Sequence, residues 1–577
     1  MSYQDEIEQL SRRMRVYTPL PGVIAAAVYF LTLARGTVPG VSAALSASAA
    51  GLTPPTEAAH PLFACATRLV AATGLFSLPV RLNLFSAACG ALGAMLFYHL
   101  VSRLVLFSAC KDSGANKTGG GEARRRRDAS PPASEEPQPP VVPRTPRIFR
   151  IAVWSGLLAS ALLTFTAPFW SASTHLDRGP FDLLLALASL SLYPVTRTAY
   201  YKPRLLASVT LFTCGLLESP TFLFLLPVYA FVLFKLCFSF RRRFVLLGQL
   251  ALAGVAGLAI MLAAYRFNSE DAAMLSGVEL LGAFARSAAS CIYWEAKTFF
   301  PAAGWVLPLL QVGLAASLVV FGRKTLFHAR RRDTAIMLGL LALVTAPGLL
   351  LLPLAPHNFF ATSGRLPVFA HAVLALGAAV AFAASRIALI SAKQPQTADE
   401  APRDKRRSPV HNRHASAAQA TAKAVAPFIL LVALLTPFRN LPAVRDGRGA
   451  FADAVARELL DLLKNRRCLV TNGSIDNNLR LLADARNQPL TLVSLRPDAS
   501  RQEHARLQRA VASDPLFEDG LRVRLQNALS INPTRLISEW LRADTNAYRQ
   551  VLIDAAPDFW TACGFRPVPE GLAYGGI

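Results

Sequence analysis

Long apolar runs alternate with polar gaps over the first three quarters of this chain. Eleven such runs can be marked, at 19–34, 82–107, 149–170, 180–195, 205–217, 222–238, 245–265, 305–321, 336–354, 368–390 and 424–437. Apolar runs of this kind, with at most one charge each, predict membrane-crossing helices, for which about 20 residues suffice. The first run, preceded by Arg12, Arg13 and Arg15 and followed by small residues at 46–50, also has the flanks of a signal peptide. We read it as a retained helix; cleavage would leave ten spans and the same side for the C-terminus. Between the fifth and sixth runs only Glu218, Ser219, Pro220 and Thr221 intervene, which predicts a tight helical pair.

Basic residues fill alternate gaps. One set holds the arginine run 124–127, Arg197 with Lys202 and Arg204, and the clusters 241–243, 330–332 and 405–407. The other set holds only scattered charges such as Arg178, Lys297 and Arg365. Basic loops stay on the cytoplasmic side. The N-terminus is therefore expected inside, and everything beyond the last span outside. A bacterial inner membrane suits this best, with the endoplasmic reticulum as the other host. Two of the inner gaps, 113–146 and 394–419, are low in complexity and are expected to be disordered linkers.

After residue 437 the period changes. Val455, Leu459, Leu460 and Leu463 make one stripe of a helix over 451–464, and 467–471 is a short apolar strand running into Asn472 and Gly473. A helix over 476–485 with Asp476 as its cap, a strand over 490–495, a helix over 535–541 and an extended 551–553 follow. The tail, 564–577, carries Pro567, Pro569 and a Gly-Gly turn. Strands alternating with helices predict a small α/β unit. The expected architecture is thus an all-α polytopic bundle over 1–437 with an extracytoplasmic α/β domain over 438–577.

Composition sharpens this picture. Hydrophobic residues make up 53% and charged residues 17% of the 577, with a mean hydropathy of +0.36. The net charge of +24 is spent on topology and anionic lipid contacts, and no nucleic-acid-reading module accompanies it. Membrane lipids are expected partners and nucleic acid is not. Eight cysteines show no metal spacing; Cys468 and Cys563 share the outer domain, either as a disulfide or as two buried thiols. No phosphate-binding loop, nucleophile elbow or zinc motif occurs.

The stretch 28–101 carries the most specific pattern. A span ends in Leu31-Thr32-Leu33-Ala34, and a long outer loop follows. That loop contains His60-Pro61-Leu62-Phe63 and an amphipathic stretch over 64–78. The next span opens on Arg81-Leu82-Asn83-Leu84-Phe85-Ser86-Ala87. This order resembles the membrane glycosyltransferase family that includes the vertebrate transmembrane O-mannosyltransferase acting on plexins, of the GT-C class. The resemblance implies transfer of a sugar from a polyprenyl-phosphate carrier to a glycan or protein acceptor at the outer face. It implies no cofactor, although a divalent metal stays open. A first-loop carboxylate would be the general base and basic groups would hold the donor phosphate.

The chain departs from that pattern. Val41 and Ala44 stand where the family carries first-loop acids, and Ser173, Thr174 and His175 replace a glutamate expected after Trp170. Glu218-Ser219-Pro220-Thr221 replaces a histidine pair. Candidate replacements for the catalytic groups are Glu57, His60 and Asp177, with Asp182 nearby. Arg81, Asn83 and Glu218 are the candidates for substrate binding. Each has a plainer reading: Glu57 a solvated loop acid, His60 a turn histidine, Asp177 a partner of Arg178, Glu218 a water-exposed helix end, and Arg81 an interface anchor. An active transferase with a relocated base, a non-catalytic accessory protein of envelope glycan assembly, and a transporter or flippase are the functions carried forward. The last lacks the repeat of broken helices expected of such proteins.

Overall fold

A computed structural model describes residues 3–53, 60–118, 145–193, 201–238, 243–268, 274–299, 306–327, 332–351, 365–392, 409–445, 448–495, 501–554 and 557–577. The chain opens with α1 Tyr3–Met14, α2 Pro19–Leu31, α3 Val41–Ala49, α4 Pro61–Ala72, α5 Leu78–Thr118 and α6 Thr145–Phe165. There follow α7 Ala167–Thr174, α8 Gly179–Leu192, α9 Tyr201–Glu218, α10 Phe222–Phe238 and α11 Arg243–Asn268. The bundle closes with α12 Gly277–Phe299, α13 Val306–Val320, α14 Arg332–Leu351, α15 Arg365–Ala392 and α16 Pro409–Val444.

Among the described residues, each of the eleven apolar runs falls chiefly on helix, the third on two helices. Six helical stretches among the described residues are long and apolar enough to cross a membrane: Gln9–Leu31, Leu78–Cys110, Pro146–Phe165, Phe244–Asn268, Pro367–Ile390 and Gln419–Pro442. The apolar stretches Gly179–Leu192, Phe222–Phe231, Leu310–Val320 and Thr334–Leu350 are shorter. The interior is built from small side chains. Along α15, Ala372, Ala375, Ala378, Ala379, Ala383 and Ala384 are buried, and this helix packs on α6, α8, α13, α14 and α16. Where lipid tails are as apolar as leucine, close backbone approach through small residues replaces the hydrophobic drive for packing.

Three expectations for the bundle change. The run 149–170 is two helices, because Thr166 is extended (ψ 138°) and Pro168 lies in the first turn of α7; proline lacks an N–H and fits a first turn rather than a helix interior. Parts of the two low-complexity gaps, 113–118 and 409–419, are helical ends of α5 and α16, since extending a helix already formed costs far less than nucleating one. Residues 145–146 open α6, and the rest of the expected linkers, 119–144 and 394–408, lies outside the described residues. The last bundle helix also runs beyond 437, to Val444.

Hydrogen bonds align the helix ends. On α5, Ser86 meets the main chain of Asp177, whereas Arg103 donates to Ser191 O over 3.2 Å. These contacts lie about 26 Å apart along the helix at 1.5 Å per residue, close to the ~30 Å of hydrocarbon. The α7–α8 turn and the α8 C-terminus therefore lie at opposite ends of the bundle. On the face of the turn lie the α2–α3 loop, α4, the α9–α10 turn, the end of α11 and the C-terminal domain, all joined by contacts given below.

That domain begins with α17 Arg448–Leu463 and has a five-stranded sheet, β1 Cys468–Thr471, β2 Thr491–Ser494, β3 Val551–Asp554, β4 Pro567–Glu570 and β5 Ala573–Gly576, in the order β2-β1-β3-β5-β4. The first three strands are parallel; β5 and β4 are antiparallel additions. Alternate side chains enter two cores, as a pleated strand requires. Cys468, Val470, Val551 and Ile553 pack with Trp540 and Trp560, while Leu469 and Leu552 pack with Leu459, Leu463 and Leu479. Helices α18 Asp476–Ala485, α19 Arg501–Ser513, α20 Arg522–Ile531 and α21 Pro533–Ala543 cover the sheet. Of these, α19 and α20 were not read from the sequence.

The tail turns at Gly571 (φ +60°), and Gly575 and Gly576 sit inside β5, so the expected Gly-Gly turn is a strand. Cys468 and Cys563 are free thiols in one core. Asp476 does not cap α18: Ile475 holds the cap position, and the Asp476 carboxylate accepts from the Thr471 hydroxyl. Across from it, burial first and the Asp476 charge second push Asp554 up to about 6. A carboxyl raised in the folded state favours the fold fully below its unfolded value and loses that contribution as pH rises through about 6. Thermal unfolding of the full-length protein, followed by tryptophan fluorescence of the C-terminal domain, should show a midpoint falling between about pH 4 and pH 7. Asp554→Asn should flatten that fall; an unchanged slope would exclude Asp554 as its source.

Candidate functional site

Two clusters of buried polar side chains meet where the first loop packs on the bundle. The first surrounds the break between α7 and α8. Asp177, Arg178 and Asp182 are 5%, 6% and 1% exposed, a concentration of charge that burial alone would make costly. Asp177 Oδ1 accepts the Gly179 N–H over 2.6 Å at the start of α8, and the Asp177 N–H reaches Ser86 Oγ at 3.1 Å. A carboxylate there also meets the positive end of the helix dipole, as does Asp182 in the first turn. Beside them, burial pushes the His175 imidazole down from its ordinary range, while the neighbouring Asp177 charge acts against that shift.

Asn83 joins this turn to the first loop. Its amide nitrogen donates to Ala34 O at 2.7 Å and to Gly36 O at 3.4 Å, and its Oδ1 accepts the Leu176 N–H at 2.8 Å. The Ala34 N–H donates to Thr174 O over 2.9 Å, which stitches the same two segments directly. Asn83 and Ser86 share one face of α5 through their i, i+3 spacing. Arg81 lies one turn before Phe85, on the face toward α4 and α8. Its Nε is buried and has no hydrogen-bond partner among the described residues.

The second cluster sits at the N-terminus of α4. Glu218, the last residue of α9, is 1% exposed, and its two oxygens accept the N–H groups of Leu62 and Phe63, each at 2.9 Å. Helix starts leave such donors without partners. Here the cap comes from another helix, because His60 at the cap position makes no side-chain cap bond. His60 instead donates through Nδ1 to the Glu218 main-chain oxygen, and its Nε2 lies 3.2 Å from Cys291 Sγ. A carbonyl only accepts, so Nδ1 carries the proton and in the neutral ring Nε2 accepts from the thiol. Asn268, ending α11, donates to Pro61 O at 2.8 Å. Three rings join the clusters: Phe63, Phe85 and Phe181, with centroids 5.6–6.0 Å apart.

The candidates from the sequence thus separate. Asp177, Asn83 and Arg81 gather along the start of α5; His60 and Glu218 meet each other across the ring trio; Glu57 lies outside the described residues. Glu218 is buried rather than a water-exposed helix end. Asn268 and Cys291 were missed, because each ends or interrupts an apolar pattern with no motif around it. Among the described residues no three His, Cys, Asp or Glu side chains converge as a metal ion would require.

No family model matches this chain, and no curated protein does. Among solved structures it is similar to the crystal structure of ArnT from Cupriavidus metallidurans bound to undecaprenyl phosphate, at 14% identity over 96% of this chain and 97% of that one, with a TM-score of 0.45. A likeness at that level assigns no function.

The cap on α4 sets a stability test. Glu218→Ala strands two main-chain donors and should cost about 2–3 kcal/mol, whereas Glu218→Gln keeps one accepting oxygen and should cost about half of that. Thermal unfolding of the protein in detergent reads the difference; equal losses in the two variants would show that the cap is not what Glu218 contributes.

Proposed function

We propose that this chain is a GT-C-like integral membrane glycosyltransferase. It moves a sugar from a polyprenyl-phosphate donor to a glycan or protein acceptor on the outer membrane face. The reading rests on one observation above all: a buried charged turn, Asp177-Arg178 with Asp182, held by α5 and the first loop at a membrane face. Buried ionisable groups at such a depth are expensive and mark function by default. The resemblance over 28–101 supplies the substrate class, and the basic gaps supply the side.

In this reading Asp177 takes the proton of the acceptor hydroxyl. The acceptor oxygen bonds to the sugar's anomeric carbon as the bond from that carbon to the phosphate oxygen breaks. Polyprenyl phosphate leaves carrying the added negative charge. Arg81, whose buried Nε has no hydrogen-bond partner among the described residues, and Arg178 hold that phosphate; a guanidinium suits phosphate through its fork of donors. His60, Asn83 and Glu218 keep the first loop in place around the substrates.

A second reading has its own support. Asp177 and Glu218 both serve as caps for helix starts, which is what a non-catalytic accessory of envelope glycan assembly would retain. Turnover separates the two. Purified protein in lipid nanodiscs, given labelled polyprenyl-phosphate sugars and a membrane acceptor fraction, should release polyprenyl phosphate. Asp177→Asn, which keeps an oxygen for the Gly179 N–H but loses the base, should lower kcat about 10²–10⁴-fold, and Arg81→Gln should raise KM for the donor. No release with any donor would overturn the transferase reading in favour of the accessory one.

A further inference from the structure

The C-terminal domain touches the bundle through an unusual contact. Both main-chain groups of Thr37, a residue 4% exposed in the α2–α3 loop, are held by side chains of that domain. Its N–H donates to Asp453 Oδ2 of α17 at 3.2 Å, and its carbonyl accepts from Asn478 Nδ2 of α18 at 2.7 Å. Asn478 also donates to Asp453 Oδ1 at 3.3 Å, so the two side chains form one grip. The approach is close enough to demand glycine next door. A Cβ on Gly36 would sit 2.2 Å from Asp453 Oδ2 and 3.1 Å from Gly449 O. A second tie, from Arg506 to Leu52 O, fixes the far end of α3.

The grip does not end at the loop. Gly36 and Ala34 are bonded from the opposite side by Asn83, whose Oδ1 holds Leu176, the residue before Asp177. The order of contact runs from Asp453 and Asn478 through Thr37 and Gly36 to Asn83, and then to the α7–α8 turn. Every member is a side chain holding main chain, so displacing one shifts backbone rather than a rotamer. Burial raises the Asp453 carboxyl above its usual range, with Asn478, Thr37 and Arg457 acting the other way, as expected where a carboxylate is withdrawn from water to make this contact.

We propose that the C-terminal domain is a positioning element of the candidate site: Asp453 and Asn478 grip Thr37, and through Asn83 that grip places the turn carrying Asp177. The consequence for turnover rests on the transferase reading; the mechanical coupling does not. Hydrogen exchange on the full-length protein in nanodiscs tests the coupling alone. Asp453→Ala and Gly36→Ala should each speed exchange at the Thr37 amide and at the Leu176, Asp177 and Gly179 amides by about tenfold, the change expected for one lost hydrogen bond. Amides of α15 should be unaffected. Asp453→Asn keeps an oxygen for Thr37 and should restore slow exchange, which separates the grip from unfolding of the domain.

Faster exchange at Thr37 with the α7–α8 amides unmoved would overturn the proposal, as would loss of protection in α15 along with the rest. With a donor in hand, Gly36→Ala should lower kcat about tenfold at unchanged KM, and Asp453→Asn should rescue what Asp453→Ala loses. Should no donor turn over, the exchange pattern still decides the coupling while the transferase reading falls separately.

Discussion

Wherever a helix breaks inside or beside the membrane, its freed N–H and C=O groups must find partners without bulk water, since each one left bare costs several kcal/mol in hydrocarbon. That requirement organises one face of this protein. The chain breaks there at 32–40, at 175–178, at 219–221 and at the start of α4. A handful of side chains answers each break: Asn83 for Ala34, Gly36 and Leu176, Asp177 for Gly179, Glu218 for Leu62 and Phe63, and Asn268 for Pro61. Remove these polar residues and the helices could not end where they do. The bundle interior has no comparable need, because α15 and its neighbours pack through alanines with their main chains internally bonded.

The same requirement explains how a soluble domain and a membrane bundle become one unit. The loop leaving α2 offers main chain to both, and both take it with side-chain amides and carboxylates rather than with apolar surface. Such contacts are directional and short in reach, so they specify position better than burial does. The ring trio of Phe63, Phe85 and Phe181 then excludes water between the clusters, which strengthens each polar contact on either side of it.

Much of this was legible in the sequence, and the reasons differ by feature. Apolar runs exposed the spans because lipid punishes charge residue by residue. The short apolar runs of β1 and β3, and the stripe of α17, exposed the C-terminal domain because buried-strand runs and helix periods are local. Sequence placed Asp177, Arg81 and Asn83 on one side of the membrane but could not bring them to one end of α5. That step depends on contacts between residues about 90 apart in the chain, such as Leu176 with Asn83. Glu218 stood out as a candidate because an ionisable group between two spans is costly, with a water-exposed helix end as the plainer reading; its burial follows from α4 folding back onto it, which no local pattern announces. The split at Thr166 and the helices α19 and α20 were missed for simpler reasons. Pro168 sits in the interior of an apolar run, and both helices are polar stretches with weak stripes.

The two capping carboxylates are not equivalent for chemistry. Glu218 spends both oxygens on adjacent main-chain donors of α4 and lies behind the ring trio, so moving a proton there would release the helix it holds. Asp177 accepts the Gly179 N–H at the start of α8 and stands in a turn with Arg178 beside it and Asn83 and Ser86 behind it. A base must be held to within a fraction of an ångström of its substrate for proximity to count, and a turn bonded on both sides to α5 and the first loop meets that condition. On the transferase reading, the residue proposed to react is therefore the one whose place is set by others, and those others reach back to Asp453 and Asn478 in the C-terminal domain.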